Sequence, residues 1–149
     1  ERLIYKKLTI ATAESCTGGR LAQYITSVPG SSEVFFGGII AYSNSVKMDL
    51  LEVDENTIEK NGAVSEEVAL QMAKGVRLKT SSDIGIGITG ISGPTGGTEL
   101  KPVGLVFIAI SDINQSKVRK FNIKIDRKMH QEMTSYIALN MVRRYYLGE

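Results

Sequence analysis

Ser15 stands between an apolar run and two glycines, in Ala13-Glu14-Ser15-Cys16-Thr17-Gly18-Gly19. A serine at the junction of a strand and a helix is placed to act as a nucleophile. The helix start offers backbone N–H groups with no intrahelical partner, and these stabilise a developing oxyanion or hold a phosphate. Such a nucleophile requires a base. Lys47, in Tyr42-Ser43-Asn44-Ser45-Val46-Lys47, is the candidate, because burial or a neighbouring cation lowers a lysine far enough to accept a proton. The chain's one histidine, His130, falls at the start of the last helical pattern, where surface or packing use is commoner. A Ser–Lys pair is then the familiar nucleophile–base arrangement that remains. Each residue also has a structural reading. Ser15 or Thr17 would serve as a helix cap, Lys47 as a solvated helix lysine, and Tyr42 as a strand end instead of a hydrogen-bond donor or proton relay. Cys16 is a rival nucleophile if the helix start lowers its thiol, and a small buried residue otherwise.

A third polar segment, Thr89-Gly90-Ile91-Ser92-Gly93-Pro94, opens a loop in which Gly90, Gly93, Gly96 and Gly97 either wrap a phosphate or ribose or simply turn the chain. It is not a Walker A loop, since no Lys-Ser/Thr closes it. One histidine and one cysteine are too few for the usual zinc sites, and no carboxylate pair stands out for magnesium.

Three strand-to-helix schemes must bring these segments together. Leu8 to Ala13 reads as a short apolar strand, and Gly18 to Val28 as a helix ended by Pro29-Gly30. Val34 to Tyr42 reads as a second strand, followed by a short helix that starts at Ser43-Asn44-Ser45 and runs through Lys47 to Leu51. Ser65 caps a helix with Glu66 and Glu67 in its first turn and Val68, Met72 and Val76 in its apolar stripe. Ile84, Ile86 and Ile88 alternate with Gly85 and Gly87, a strand against which something packs closely. Val103 to Ile110 reads as a central strand buried on both faces. A hairpin turn at Asp112-Ile113-Asn114 leads to an outer strand from Val118 to Ile125. The last helix runs from about Arg127 to Tyr146, with Met129, Met133, Ile137 and Met141 on one face. The order β-α-β-α-α-β-β-β-α, with right-handed crossovers early and a hairpin late, predicts an α/β fold: a three-layer α/β/α sandwich on a mixed, mainly parallel sheet. The carboxyl ends of parallel strands share one edge, the usual ligand crevice, and there Ser15, Tyr42, Lys47 and Thr89 converge.

The 149 residues fit one domain spanning 1–149, and 42% hydrophobic with 23% charged residues is the balance of a globular protein. A net charge of +2 is too small to indicate nucleic acid or an anionic membrane, and the cluster from Lys117 to Lys128 reads as a solvated strand face and helix start. A lone cysteine excludes an intrachain disulfide and fits a reducing compartment. There is no signal-peptide pattern at the start and no apolar run of the roughly 18 residues a membrane span needs. The absence of an initiator methionine points to a fragment or a processed chain.

Five blocks together resemble the CinA C-terminal domain family: AESCTGG from Ala13 to Gly19, YSNSVK from Tyr42 to Lys47, GAVSEEVA from Gly62 to Ala69, TGISGPTGGT from Thr89 to Thr98 and KPVG from Lys101 to Gly104. They occur in the family's order over nearly the whole chain. The resemblance implies a nicotinamide-nucleotide amidase, converting nicotinamide mononucleotide to nicotinate mononucleotide and ammonia, with the same layered fold. It implies Ser15 as nucleophile, Lys47 as base, Tyr42 as its helper and Thr89 as a hydroxyl residue of the site. On this reading Cys16, Thr17, Gly18 and Gly19 lie about the oxyanion, and Asn44, Gly90, Gly93, Gly96, Gly97 and Arg127 contact the nucleotide. No metal or organic cofactor is implied. The expected setting is a cytoplasmic homo-oligomer whose partner is a small-molecule substrate, with neither nucleic acid nor membrane. The chain departs from the family pattern at Ile125, where glycine is usual, at Gln131, where a second arginine is usual, and at Thr95, where aspartate is common. A different class of function, a non-catalytic pyridine-nucleotide-binding or sensor domain of a larger protein, predicts nucleotide binding without ammonia release.

Overall fold

The computed structural model describes residues 1–147, and its architecture follows from one sheet with a helical layer on each face. The strands are β1 (Ile10–Glu14), β2 (Phe35–Ile40), β3 (Ile84–Gly90), β4 (Leu105–Ser111) and β5 (Ser116–Asn122), in the spatial order β2-β1-β3-β4-β5. β1 pairs parallel with both β2 and β3, and β4 pairs antiparallel with both β3 and β5. Only β4 therefore opposes the common direction. The three-layer α/β/α sandwich on a mixed sheet is the observed fold. The strand expected to be central, β4, is buried throughout but lies one place from the edge, and the middle of the sheet is β3.

The helices are α1 (Arg2–Lys6), α2 (Arg20–Thr26), α3 (Asn44–Leu51), α4 (Glu55–Asn61), α5 (Glu66–Thr80) and α6 (Arg127–Leu147). α1 and α4 are additions to the sequence reading. Both are short and bury no residue, so neither carries the apolar stripe that would announce it. One face of the sheet packs α2 and α6, with Leu21, Ile25, Ala138, Met141 and Val142 against Ile84, Ile86 and Ile88. The other face packs α3 and α5, with Leu51, Val68, Met72 and Val76 against Ala11 and Ala13.

The glycines of β3 explain how closely α5 approaches. A Cβ on Gly85 would stand 1.9 Å from the Ala73 carbonyl oxygen, and one on Gly87 would stand 2.3 Å from that of Ala69. The alternation of isoleucine and glycine thus fills one face and lets a helix backbone onto the other, as a strand glycine permits.

α6 corrects the sequence reading. Met129 and Met133 are exposed, and the buried face carries His130, Thr134, Ala138, Met141 and Val142. Of the expected face, Ile137 and Met141 do pack on the core, and only in the first turns is the buried stripe one residue out of phase, at His130 and Thr134. His130 finds hydrogen-bond partners inside, and the small Thr134 and Ala138 let the helix sit close. α2 is also shorter than expected, starting at Arg20 because Gly18 and Gly19 hold left-handed φ angles of 60° and 95°.

Candidate active site

The three polar segments leave β1, β2 and β3 at the shared carboxyl edge, as parallel pairing requires. Between them lies a cavity of about 280 Å³ lined by Ser15, Cys16, Tyr42, Asn44, Lys47, Thr89, Gly90, Gly93, Gly96 and Arg127 among others. Its lining holds no carboxylate and two basic residues, Lys47 and Arg127.

Lys47 is brought there by α3, which Ser43 caps by accepting from the Val46 N–H at 3.2 Å. One turn into the helix, its side chain runs inward and is 1% exposed. Nζ lies 3.2 Å from Ser15 Oγ, 2.8 Å from the Ala41 carbonyl oxygen and 3.2 Å from that of Tyr42. No acidic side chain is salt-bridged to it among the described residues. Burial therefore lowers its proton affinity below that of an ordinary lysine. A neutral amine has two N–H bonds and one lone pair. The two carbonyls take the N–H bonds, and the lone pair is left for the Ser15 hydroxyl. That arrangement can draw a proton from serine.

Ser15 follows β1 directly, its N–H bonded to the Ile88 carbonyl at 3.0 Å, so the strand pairing fixes the nucleophile's backbone. Neither Ser15 nor Thr17 caps α2, and the Thr17 hydroxyl is buried without a partner. The cap is Glu14, a residue passed over in the sequence. Its buried carboxylate accepts from the N–H groups of Gly19 at 3.1 Å, Leu21 at 3.0 Å and Ala22 at 2.8 Å. Gly18 N–H is bonded to the Ser15 carbonyl. The N–H groups of Gly18 and Gly19 are thus both occupied, that of Cys16 faces its own thiol, and among the described residues that of Thr17 has no partner.

Cys16 is buried, and desolvation pushes its thiol up to about 12, with the thiol in hydrogen-bond contact with Ser92. Burial thus disfavours the thiolate that a cysteine nucleophile requires. Ser92 Oγ lies 2.9 Å from His130 Nδ1, and His130 Nε2 lies 3.2 Å from the Gly104 carbonyl. The carbonyl can only accept, so Nε2 carries the proton and Nδ1 accepts from Ser92. Burial keeps this imidazole's proton affinity low. Gln131 Nε2 donates to the Cys16 carbonyl at 2.9 Å.

The Tyr42 side chain is mostly exposed, and its hydroxyl accepts from Arg127 at 3.0 Å. What touches Lys47 is the Tyr42 carbonyl. Arg127 also donates to the Gly93 carbonyl at 2.8 Å, so its guanidinium spans the mouth of the cavity from one wall to the other. Thr89 donates to the Ala63 carbonyl at 2.7 Å, anchoring the loop before α5. Gly18, Gly19 and Gly97 lie outside the lining, and so does the Thr17 side chain, although the Thr17 N–H belongs to the peptide that begins at the lining residue Cys16. Gly97 is explained by packing, since a Cβ there would stand 2.6 Å from the Val103 nitrogen. Among the described residues there is no group of three or more His, Cys, Asp or Glu placed to hold a metal.

A family profile of the CinA C-terminal domain matches residues 1–146. The chain belongs to the CinA C-terminal domain family. It is 49% identical over 145 residues to a putative competence-damage inducible protein of Acetivibrio thermocellus, covering 97% of this chain and 35% of that protein. A CinA-like protein of Geotalea daltonii is 48% identical over 147 residues, with 97% and 36% covered. The chain thus spans about a third of the length of these relatives. Among solved structures, the competence/damage inducible protein CihA from Agrobacterium tumefaciens superposes with a TM-score of 0.91 at 38% identity, covering 95% of this chain and 89% of that one. A CinA superfamily protein from Escherichia coli gives 0.93 at 32% identity, covering 97% and 84%.

Proposed function

We propose that this CinA-family chain hydrolyses the carboxamide of nicotinamide mononucleotide to nicotinate mononucleotide and ammonia, with Ser15 as nucleophile and Lys47 as base. The observation that carries the reading is the buried Lys47 amine, 3.2 Å from Ser15 Oγ and without an acidic partner. The neutral amine takes the Ser15 proton as Oγ bonds to the carboxamide carbon. The resulting ammonium returns that proton to the amide nitrogen, the C–N bond breaks and ammonia leaves. Water then attacks the acyl-serine, giving a proton to Lys47, and the ammonium passes it to Ser15 Oγ as the C–Oγ bond breaks, so that serine and neutral amine are both restored. The Thr17 amide is the donor left in the turn for the oxyanion. Arg127 at the mouth, in a cavity without carboxylates, supports an anionic end on the substrate and so a nucleotide phosphate.

On this reading the chain works in the cytoplasm on a small molecule, without nucleic acid or membrane. No described helix is long and apolar enough to cross a membrane. The exposed Met129, Met133 and Tyr136 on α6 support a homo-oligomer. The test is ammonia release from nicotinamide mononucleotide, with Ser15→Ala run in parallel. Release by the wild type alone is expected. No release from a folded wild type overturns the amidase reading in favour of a nucleotide-binding module, which calorimetry with the same nucleotide would then detect.

A further inference from the structure

We propose that Gln131 is a positioning residue that sets the oxyanion-binding turn, by holding the Cys16 carbonyl so that the Thr17 N–H is presented to the reacting carbonyl. The inference rests on the amidase reading for its substrate and on the geometry for its mechanism.

The α2 N-terminus cannot supply the oxyanion donors, because Glu14 occupies the N–H groups of Gly19, Leu21 and Ala22. Gly18 N–H closes the turn onto Ser15. The Cys16 N–H faces its own thiol, so the Thr17 amide is the one that remains in this turn among the described residues, and its direction must be fixed in advance, since an oxyanion donor is effective when preorganised. In a trans peptide, C=O and N–H point in opposite directions. Gln131 projects from α6 and draws the Cys16 carbonyl toward the α6 layer. The Thr17 N–H of the same peptide is thereby turned toward the opposite layer. That layer contains α3, and α3 carries Lys47 beside Ser15 Oγ.

The other polar group of Cys16 is held from the same helix. Its thiol meets Ser92, which is bonded to His130, the residue preceding Gln131. Two adjacent residues of α6 thus grip one residue of the turn from both its carbonyl and its side chain.

The test compares wild type with Gln131→Glu, which keeps the shape but offers no donor when ionised, and Gln131→Met, which is neutral and keeps the length. Two readouts are taken on samples with matching circular dichroism: kcat and KM for nicotinamide mononucleotide, and the rate of Ser15 phosphonylation by a fluorophosphonate probe. Losing the preorganised donor is expected to lower kcat by about 10²-fold, the effect typical of one oxyanion donor. KM should stay within about threefold and the pH midpoint of the rate should not move. Phosphonylation, which also builds charge on an oxygen in the turn, should slow in parallel. A kcat within threefold of wild type in both variants overturns the proposal, as does a loss confined to KM, which would make Gln131 a substrate contact. Should the wild type not hydrolyse the nucleotide, the amidase reading fails, and the labelling rate alone decides this inference. Slower labelling of both variants supports it. Equal rates, or a wild-type Ser15 that the probe does not label, overturn it.

Discussion

Glu14→Gln tests whether the nucleophile turn is held by a buried carboxylate. The wild-type side chain is 1% exposed and accepts three N–H bonds, two at Oε2 and one at Oε1. Glutamine keeps the shape but turns one acceptor into an NH₂ group facing a donor. With the amide oxygen serving Gly19 and Leu21, the Ala22 bond at 2.8 Å is lost and N–H faces N–H. Hydrogen bonds to a charged group contribute roughly 1.5–3 kcal/mol each and neutral ones about 1. Two bonds weakened by about 0.5–2 kcal/mol each and one lost bond therefore remove about 2.5–7 kcal/mol. Interaction with the helix dipole accounts for part of that sum. Removing a buried charge returns some desolvation energy, so a net loss of about 2–3 kcal/mol is expected. For a chain of this size about 1 kcal/mol corresponds to roughly 2–4 °C, so the midpoint of thermal unfolding at pH 7 should fall by about 4–12 °C. Circular dichroism measures this, and ammonia release in the same samples should fall as well, because Ser15 follows Glu14 directly. A midpoint within 2 °C of wild type would refute the reasoning.

Two further outcomes follow from the geometry. Since burial lowers the Lys47 proton affinity, the neutral base accumulates as pH rises through a value below the ordinary 10.5, and kcat/KM should rise with it and level off. Between that value and 10.5 the unfolded chain holds a proton that the folded chain has released, so stability also rises with pH over that window. A rate midpoint at the ordinary lysine value, or a profile unchanged in Lys47→Met, would contradict the assignment of the base. Gly85→Ala places a Cβ 1.9 Å from the Ala73 carbonyl oxygen and should destabilise by about 3 kcal/mol or more, read as a lower denaturation midpoint with α5 displaced from the sheet. A midpoint equal to wild type would show that α5 does not pack where the structure puts it.

Sequence by itself determined the layered fold and the edge at which the chemistry gathers. Apolar periodicity and turn residues are local, and a strand followed by a helix leaves few topologies once crossovers are right-handed. Ser15, Lys47 and Thr89 were legible because strand ends of one polarity must share an edge, and Arg127 through the family resemblance. The tertiary structure decided which polar groups are occupied. Glu14 reads as one more acidic residue until the turn folds back and presents three N–H groups to it. Gln131 reads as a missing arginine until α6 lies beside residue 16, 115 positions earlier in the chain. His130 and the exposed methionines exchanged places because the phase of a helix is chosen by what it meets, and Ser92 and Gly104 come from distant segments. Tyr42 offers its carbonyl and not its ring to Lys47 for the same reason: a side chain's partners depend on surfaces that local sequence does not encode. Patterns along the chain fix which elements form. Burial and hydrogen bonding across long separations fix what each side chain is free to do.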